Sequence, residues 1–354
     1  MSVDRAFFAS VNAVTLSGFQ QTVALDEYRL PGQIAAFLLT IAGTLLALIA
    51  GGMAVARITG TGCHQRGIII GAVALELFAI VVGAVALTRQ WNGRGIFESI
   101  FQAVSAFGHS GLSIGALPGP TDWRTHVILL PLSILGALGV PVLITLAHGI
   151  RRRTPMHPYV RLCLILWAGG YLVGVIALVF LNGAPDWGSA LTNASTQSVN
   201  SRTLGFPFSI GDSRAAHWVL MLLMAVGGVS GAAAGGVKLT TLARLFTGVR
   251  ATLRGDAPGR VFGIAVMWVA AYFVLVLAAM ISLLALESGQ PADRLLFLVI
   301  SAASNVGLSH NPVSTTGAGL FVLSGVMLLG RLLSLAILWW AVAVSRENGE
   351  IPIG

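Results

Sequence analysis

Four segments of this 354-residue chain repeat one pattern at a near-constant spacing, which confines the fold to four copies of one unit. They are AFFASVNAVTLSGF (residues 6–19), IFQAVSAFGHSGLS (100–113), ALTNASTQSVNSRTLGF (190–206) and LFLVISAASNVGLS (296–309). Each has about three helical turns of apolar and small residues, then a Ser/Thr/Asn-rich turn, then Gly followed by Leu or Phe. The glycines Gly18, Gly111, Gly205 and Gly307 lie 93, 94 and 102 residues apart. A period that regular marks a duplicated structural unit.

The unit does not belong in water. Hydrophobic residues make up 56% of the chain and charged residues only 10%, with a mean hydropathy of +0.85. A soluble domain is nearer a quarter charged, so the composition is that of an integral membrane protein. Seven stretches reach the roughly 20 apolar residues needed to cross a bilayer: 31–57, 67–87, 127–150, 162–181, 218–246 (interrupted), 261–286 and 319–344. The repeated segments are too short to cross. They read as re-entrant pieces, tolerated only where buried in protein or lining water. The amino terminus lacks the basic start and long apolar core of a signal peptide. Cys63 and Cys163 fall near predicted cytoplasmic ends, so no disulfide is expected.

The net charge of +8 raises nucleic-acid binding only until the charges are placed. Arg57, Arg66, Arg151, Arg152, Arg153, Arg161, Arg244, Arg250, Arg254, Arg260 and Arg346 fall on one side, with only Asp256, Glu347 and Glu350 as acids. Positive-inside places that side in the cytoplasm. The other side carries Asp4, Asp26, Glu27, Glu98, Asp122, Asp186, Asp212, Glu287 and Asp293 against seven arginines, and all four repeated segments lie there. A mild cation-attracting vestibule and a plainly solvated rim both fit that distribution. Topology thus accounts for the basic excess, and no nucleic acid is called for.

A short helix entering from outside aims its partially negative C-terminal end at the bilayer centre. Glycine in the following turn permits positive φ and close backbone approach. Four such turns around one axis would give rings of carbonyl oxygens for a dehydrated monovalent cation. The candidate filter residues are Thr15, Leu16, Ser17 and Gly18; His109, Ser110 and Gly111; Thr203, Leu204 and Gly205; and Asn305, Val306 and Gly307. The alternative is small-residue helix packing, against which the matched positions argue. No carboxylate ring accompanies these turns, as a calcium-type filter would require.

The fifth stretch holds Gly227, Gly228, Gly231, Gly235 and Gly236 with three consecutive alanines. A packing face needs a small residue every fourth position; this density predicts a melted, flexible loop lining the water path. Lys238, the one lysine in the chain, follows as a gating contact or a cytoplasmic-side anchor. Arg331 stands mid-span in the seventh stretch, where a charge costs roughly 3 kcal/mol and faces protein or water. It reads as an electrostatic barrier beneath the filter, or as the partner of Glu76, the one acid inside a span. Arg202 is expected to pair with an acid and brace its turn from behind. His109 has no second ligand at metal spacing and is expected to supply backbone only. No catalytic constellation lies together in any loop, so an enzyme is not expected.

Over almost its whole length the chain resembles the Trk/Ktr/HKT superfamily of potassium transporters, specifically the TrkH/KtrB-type pore subunit. SVNSRTLGF resembles the family's Ser-x-x-x-Arg-Thr-Ala-Gly-Phe, and SAASNVGLS its Ser-Ala-x-x-Thr-Val-Gly-Leu-Ser. GGVSGAAAGGVKLTT resembles the Gly-rich gate segment ending in Ile-Lys, and GVMLLGRLLSL the family's Met-x-x-Gly-Arg. Glu76 falls where the family often carries an acid.

The resemblance implies an all-α integral membrane protein of four span–pore-helix–span units around one pore. Its units here are 1–58, 59–153, 154–250 (with the interrupted span) and 251–354. It further implies potassium, sometimes sodium, as the transported ion bound at the filter residues. A plasma-membrane homodimer, a cytosolic nucleotide-binding RCK-type regulatory subunit of the TrkA/KtrA kind, and a bacterial origin are implied as well, with no organic cofactor. In related plant transporters a serine at the first filter glycine accompanies sodium preference, so Gly18 leans toward potassium.

Two departures stand out. Ala232, Ala233 and Ala234 replace hydroxyl and glycine residues of the gate segment, which weakens polar contacts there. The first unit also lacks its leading span. A misassigned start, a truncated gene and a helix supplied by a partner are the explanations, in that order. A sodium- or proton-coupled secondary transporter and a non-conducting homologue stand as alternative functions.

Overall fold

The computed structural model describes residues 2–88, 95–182, 186–211, 213–257 and 259–347; the acids Asp212 and Glu350 of the charge map lie outside them. The described residues are all-α, with two isolated β-bridges. Three kinds of helix recur. The short helices are α1 (Val3–Val14), α4 (Ile96–Gly108), α8 (Trp187–Val199) and α12 (Ala292–Ala303). Ahead of the last three stand α3 (Gln65–Val82, extended by a π turn Gly83–Leu87), α7 (Pro158–Asn182) and α11 (Arg260–Leu286). After the four come α2 (Leu30–Thr59), the pair α5 (Leu130–Leu138) and α6 (Val140–Arg152), the pair α9 (Arg214–Ala225) and α10 (Leu239–Leu253), and α13 (Ala318–Glu347). Among the described residues five helices are long and apolar enough to cross a membrane, or six if one bent pair is counted as a span.

Local signals set these boundaries. Pro31 sits in the first turn of α2, where its missing N–H costs nothing, and Gly60 ends that helix in the left-handed region at φ +62°. Asp186 caps α8 by accepting from the Ser189 amide at 2.8 Å, and that bond holds its carboxyl below the usual range. The leading helices turn apolar faces outward: Val73, Leu77, Phe78 and Val81 on α3, and Phe273, Val274 and Leu277 on α11, are exposed on the protein surface. Such faces fit lipid and not water.

The third span is not the single helix expected over 127–150. It bends by 98° between α5 and α6. The residue at the bend, Gly139, has φ +74° and ψ +161°, a region open essentially to glycine alone. Pro141 follows, and a proline cannot donate to the carbonyl four residues back, which is that of Ala137. The Gly-Val-Pro run therefore frees helix-end carbonyls at mid-depth. The fifth span is broken as expected: 13 residues, 226–238, separate α9 from α10.

The short helices occupy the centre. α1 packs between α2 and α13, α4 against α3 and α5, α8 against α7, and α12 against α11, α13 and α9. The first short helix is thus held on both sides by long ones.

Candidate ion-pore site

Each short helix ends in the same closure. The Ser17 amide donates to the Asn12 carbonyl, Ser110 to Ser105, Gly205 to Asn200 and Val306 to Ser301, all at 3.0 Å and all spanning five residues. The chain then needs left-handed backbone. Gly18, Gly111, Gly205 and Gly307 have φ of +82°, +66°, +72° and +84°. In three units a non-glycine two positions earlier, Leu16, His109 or Asn305, is also left-handed; in the third, a π turn (Asn200–Leu204) replaces it. Glycine meets that demand without steric cost.

The four turns then meet in cyclic order. A Cβ added at Gly18 would strike the Ser110 carbonyl oxygen, one at Gly111 that of Gly205, one at Gly205 that of Val306, and one at Gly307 that of Ser17. Each glycine lies against a carbonyl of the next unit, and the fourth closes on the first. The backbones approach too closely for any side chain, so glycine is required twice over, by conformation and by contact. Gln20 Nε2 donates to the carbonyls of both Gly18 and Gly111 at 3.3 Å, so these two oxygens converge on one point.

Side chains behind the ring fix it. Asn12 clamps Phe19 by both amide atoms at 2.8 and 2.9 Å, and Asn200 clamps Phe206 the same way at 2.8 Å each. Asn305 Nδ2 donates to Ser17 Oγ (3.0 Å) and to the Met327 carbonyl (2.8 Å), tying the fourth turn to the first and to α13. Thr15 Oγ1 and Ser17 Oγ are 2.9 Å apart. All the other filter candidates are buried; Thr203 enters by its backbone, within the π turn.

Beneath the ring lies the 226–238 loop, and it is fastened rather than slack. Its ends are held by Gly227 N to Val237 O (3.0 Å), Val237 N to Ala225 O (2.8 Å) and Leu239 N to Gly228 O (3.1 Å). The amides of Val229 and Ala233 donate to the carbonyls of Ala137 (3.3 Å) and Gly136 (3.2 Å). Those are the acceptors that the bend before Pro141 releases. Buried backbone groups must be paired, so the broken third span and the melted fifth satisfy one another. The loop's glycines serve close approach: a Cβ on Gly227 would meet the Gly235 carbonyl, and one on Gly235 the Ser304 carbonyl. Ala232, Ala233 and Ala234 are buried.

Arg331 joins loop and ring. Its Nε and one terminal nitrogen donate to the Thr15 carbonyl at 3.0 and 2.6 Å, and the other terminal nitrogen donates to the Ala233 carbonyl. Gly330 beside it lets α13 approach the Ala303 carbonyl at the end of α12. Lys238 Nζ is buried and donates to the Ala234 carbonyl. Both cations thus sit on backbone oxygens.

The ion pair expected for Arg202, and the Glu76 pair weighed as the alternative for Arg331, are both replaced by other contacts. Arg331 does not reach Glu76, whose two carboxyl oxygens are buried with no hydrogen-bond partner. Arg202 meets the Trp167 carbonyl at 3.3 Å and lies 5.9 Å from the Trp167 ring centre, in place of an acid. In both cases backbone oxygens, and for Arg202 an indole face, are within reach, and among the described residues neither guanidinium makes an ion pair. His109 lends its backbone to the turn, and its ring packs against Gly136 with neither nitrogen bonded.

The outer side holds a cavity of about 770 Å³ above the fourth turn, reaching Gly307 and Gln20. Among the described residues one acid, Asp293, lines it, together with Arg214, Arg294, His217 and His310. Other outer acids are held in structural bonds: Asp4 accepts from Gly317 N, Asp26 from Gly115 N, and Asp122 pairs with Arg124. Among the described residues the arginines here outnumber the one acid, which fits the solvated rim better than the cation-attracting vestibule.

Four re-entrant helices converging on a ring of glycine turns, inside a shell of apolar spans, define a multi-pass membrane protein of pseudo-fourfold build. Residues 181–346 match the family described as TrkH, cation transport protein. The Ktr system potassium uptake protein B of Bacillus subtilis is 27% identical over 311 residues, covering 80% of this chain and 68% of that protein. The potassium/sodium uptake protein NtpJ of Enterococcus hirae is 29% identical over 303 residues, covering 76% and 66%. The crystal structure of the potassium transporter TrkH from Vibrio parahaemolyticus superposes with a TM-score of 0.75 at 21% identity, over 96% of this chain and 78% of that one. The matched stretch is just under half of the chain, and over nearly its whole length the chain shares the fold of that TrkH structure.

Proposed function

We propose that this protein carries potassium across a membrane through the ring of glycine turns, and that the 226–238 loop with Arg331 and Lys238 is its gate. The observation that carries the reading is the cyclic register in which each glycine faces a carbonyl of the next unit. Such a ring is what a dehydrated cation needs in exchange for its water. The names of the relatives, a potassium uptake protein and a potassium/sodium uptake protein, support potassium as the ion. Ser17, Ser110, Gly205 and Val306 act through their backbone oxygens. Arg331 closes the path from below by its charge and by holding the loop. The family further supports a homodimer resting on an RCK-type nucleotide-binding subunit at the basic side, in a bacterial plasma membrane.

Rubidium uptake into proteoliposomes tests the reading. The wild-type protein should take up rubidium without a sodium or proton gradient. Gly18→Ser places a Cβ against the Ser110 carbonyl at φ +82°, and should lower the rubidium-to-sodium ratio severalfold. An unchanged ratio in a well-inserted variant removes the first turn from the filter.

One observation favours a coupled transporter as the second reading: the buried, unbonded Glu76, an ionisable group at depth in α3. Uptake that appears only with a sodium or proton gradient, and is lost in Glu76→Gln, would select it.

A further inference from the structure

His217, one turn into α9, and His310, three residues beyond Gly307, meet on the wall of the outer cavity. Nδ1 of His217 and Nε2 of His310 are 3.2 Å apart. The two rings stand at 89° with centres 4.5 Å apart, and Phe297 of α12 packs edge-on against both. The other nitrogen of His217, Nε2, lies 2.9 Å from the Gly211 carbonyl. A carbonyl only accepts, so that nitrogen carries the proton and Nδ1 presents a lone pair toward His310.

We propose that His217 and His310 form an outward-facing site for a borderline divalent transition metal of the Zn²⁺ class at the mouth of the fourth glycine turn. Three features carry it. Two nitrogens on one tetrahedral zinc, each about 2.05 Å from the ion, are about 3.3 Å apart; this pair stands at that separation as a hydrogen bond from His310 Nε2–H to His217 Nδ1, and the metal would take the place of that proton, which is released or moves to His310 Nδ1. A metal-bound imidazole usually donates its second N–H to a carbonyl or carboxylate, which fixes ring and tautomer, and Gly211 supplies that acceptor. The pair opens on a cavity of about 770 Å³, room for the water ligands that complete the shell.

Among the described residues no third His, Cys, Asp or Glu converges on the point, so two imidazoles and water make the site. Its charged surroundings decide which ions it takes. Asp293 favours a cation, whereas Arg214 and Arg294 on the same walls oppose one. A hard ion such as Ca²⁺ or Mg²⁺ finds no oxygen cage to offset that repulsion, while imidazole nitrogen suits Zn²⁺, Cu²⁺ and Ni²⁺.

A dication there would sit at the entrance to the ring and repel incoming monovalent cations. This consequence, unlike the binding itself, rests on the pore reading above.

Calorimetric titration of Zn²⁺ into the full chain, purified without a polyhistidine tag at pH 7.5, tests the binding. The expected result is saturable binding weakened about tenfold or more in His217→Gln and in His310→Gln, unaltered in His64→Gln, and absent for Ca²⁺. Equal affinity in the wild type and the double glutamine variant overturns the site. Copper resonance on the unmutated protein gives a check free of folding artefacts: nitrogen hyperfine structure is expected, and an all-oxygen signature overturns it. In flux, Zn²⁺ added outside should inhibit rubidium uptake, with the half-inhibiting concentration raised by the same factor in the two variants. Binding at the pair without inhibition overturns its placement on the ion path and leaves the pore reading intact. A wild type that carries no rubidium overturns the pore reading, and calorimetry alone then decides the site.

Discussion

The four helices that follow the glycine turns divide into two pairs. α2 and α13, of the first and last units, each run unbroken for 30 residues. Their counterparts in the middle units are broken, by a 98° bend at Gly139 and by the 13-residue loop 226–238. Neither break stands alone. The bend exposes the carbonyls of Gly136 and Ala137, and the loop's amides fill them. The straight helices supply the other walls: Gly51 of α2 lies against Gly231, and Arg331 of α13 grips Ala233. On the proposed reading, closing a fourfold pore needs two of the units to depart from the repeat in complementary ways and two to keep it.

That contrast is most severely tested at its hinge. In Gly139→Ala the backbone at φ +74° and ψ +161° becomes a strained conformation costing about 1–3 kcal/mol. The new methyl would also press on the Gly231 carbonyl. Loss of thermal stability by several degrees together with a leaking or inactive protein is expected in detergent melts and rubidium uptake. A variant with wild-type melting and flux would mean that the bend does not hold the loop.

Removing the grip of the straight helix comes next. In Arg331→Ala the carbonyls of Thr15 and Ala233 lose a charged donor, a contact worth about 1.5–3 kcal/mol. If that energy favours the closed loop, the open population and the uptake rate rise about tenfold or more, since 1.4 kcal/mol is a factor of ten. Flux that stays equal or falls in a well-inserted variant would leave Arg331 a structural brace with no part in closure.

What could be read from the sequence follows the same division. The repeated parts were legible, since four glycines at matched spacing and five apolar stretches of full length each announce themselves locally. The loop was legible because its glycine density defeats a helix. Its fit was not. Val127 to Ile150 has continuous apolar character, and only the Gly-Val-Pro run signals the bend; that signal says where a helix stops but not that a distant amide takes its carbonyl. The partners of Arg331 and Arg202 were hidden for a related reason. A search by charge offers Glu76 and the outer acids, whereas these guanidiniums bond to backbone oxygens, which leave no mark in a sequence. Gln20 and Asn12 were missed because a buried amide at a turn looks like any polar loop residue until the fold brings its two partners together.

The smallest effect is the cleanest control on the comparison, because it repeats the hinge substitution in an unbroken helix. Gly325 lies inside α13 with helical backbone, and a Cβ added there meets nothing within 4 Å. Alanine in a helix interior is favoured over glycine by roughly 0.5–1 kcal/mol, because it loses less backbone freedom on folding. Gly325→Ala should therefore melt slightly higher than the wild type and carry rubidium at an unchanged rate. The same methyl group would then destabilise at Gly139 and stabilise at Gly325, because one glycine makes a break and the other only occupies a helix. Should Gly325→Ala instead raise flux or lower stability, α13 must flex during transport, and the straight pair would be moving parts rather than fixed walls.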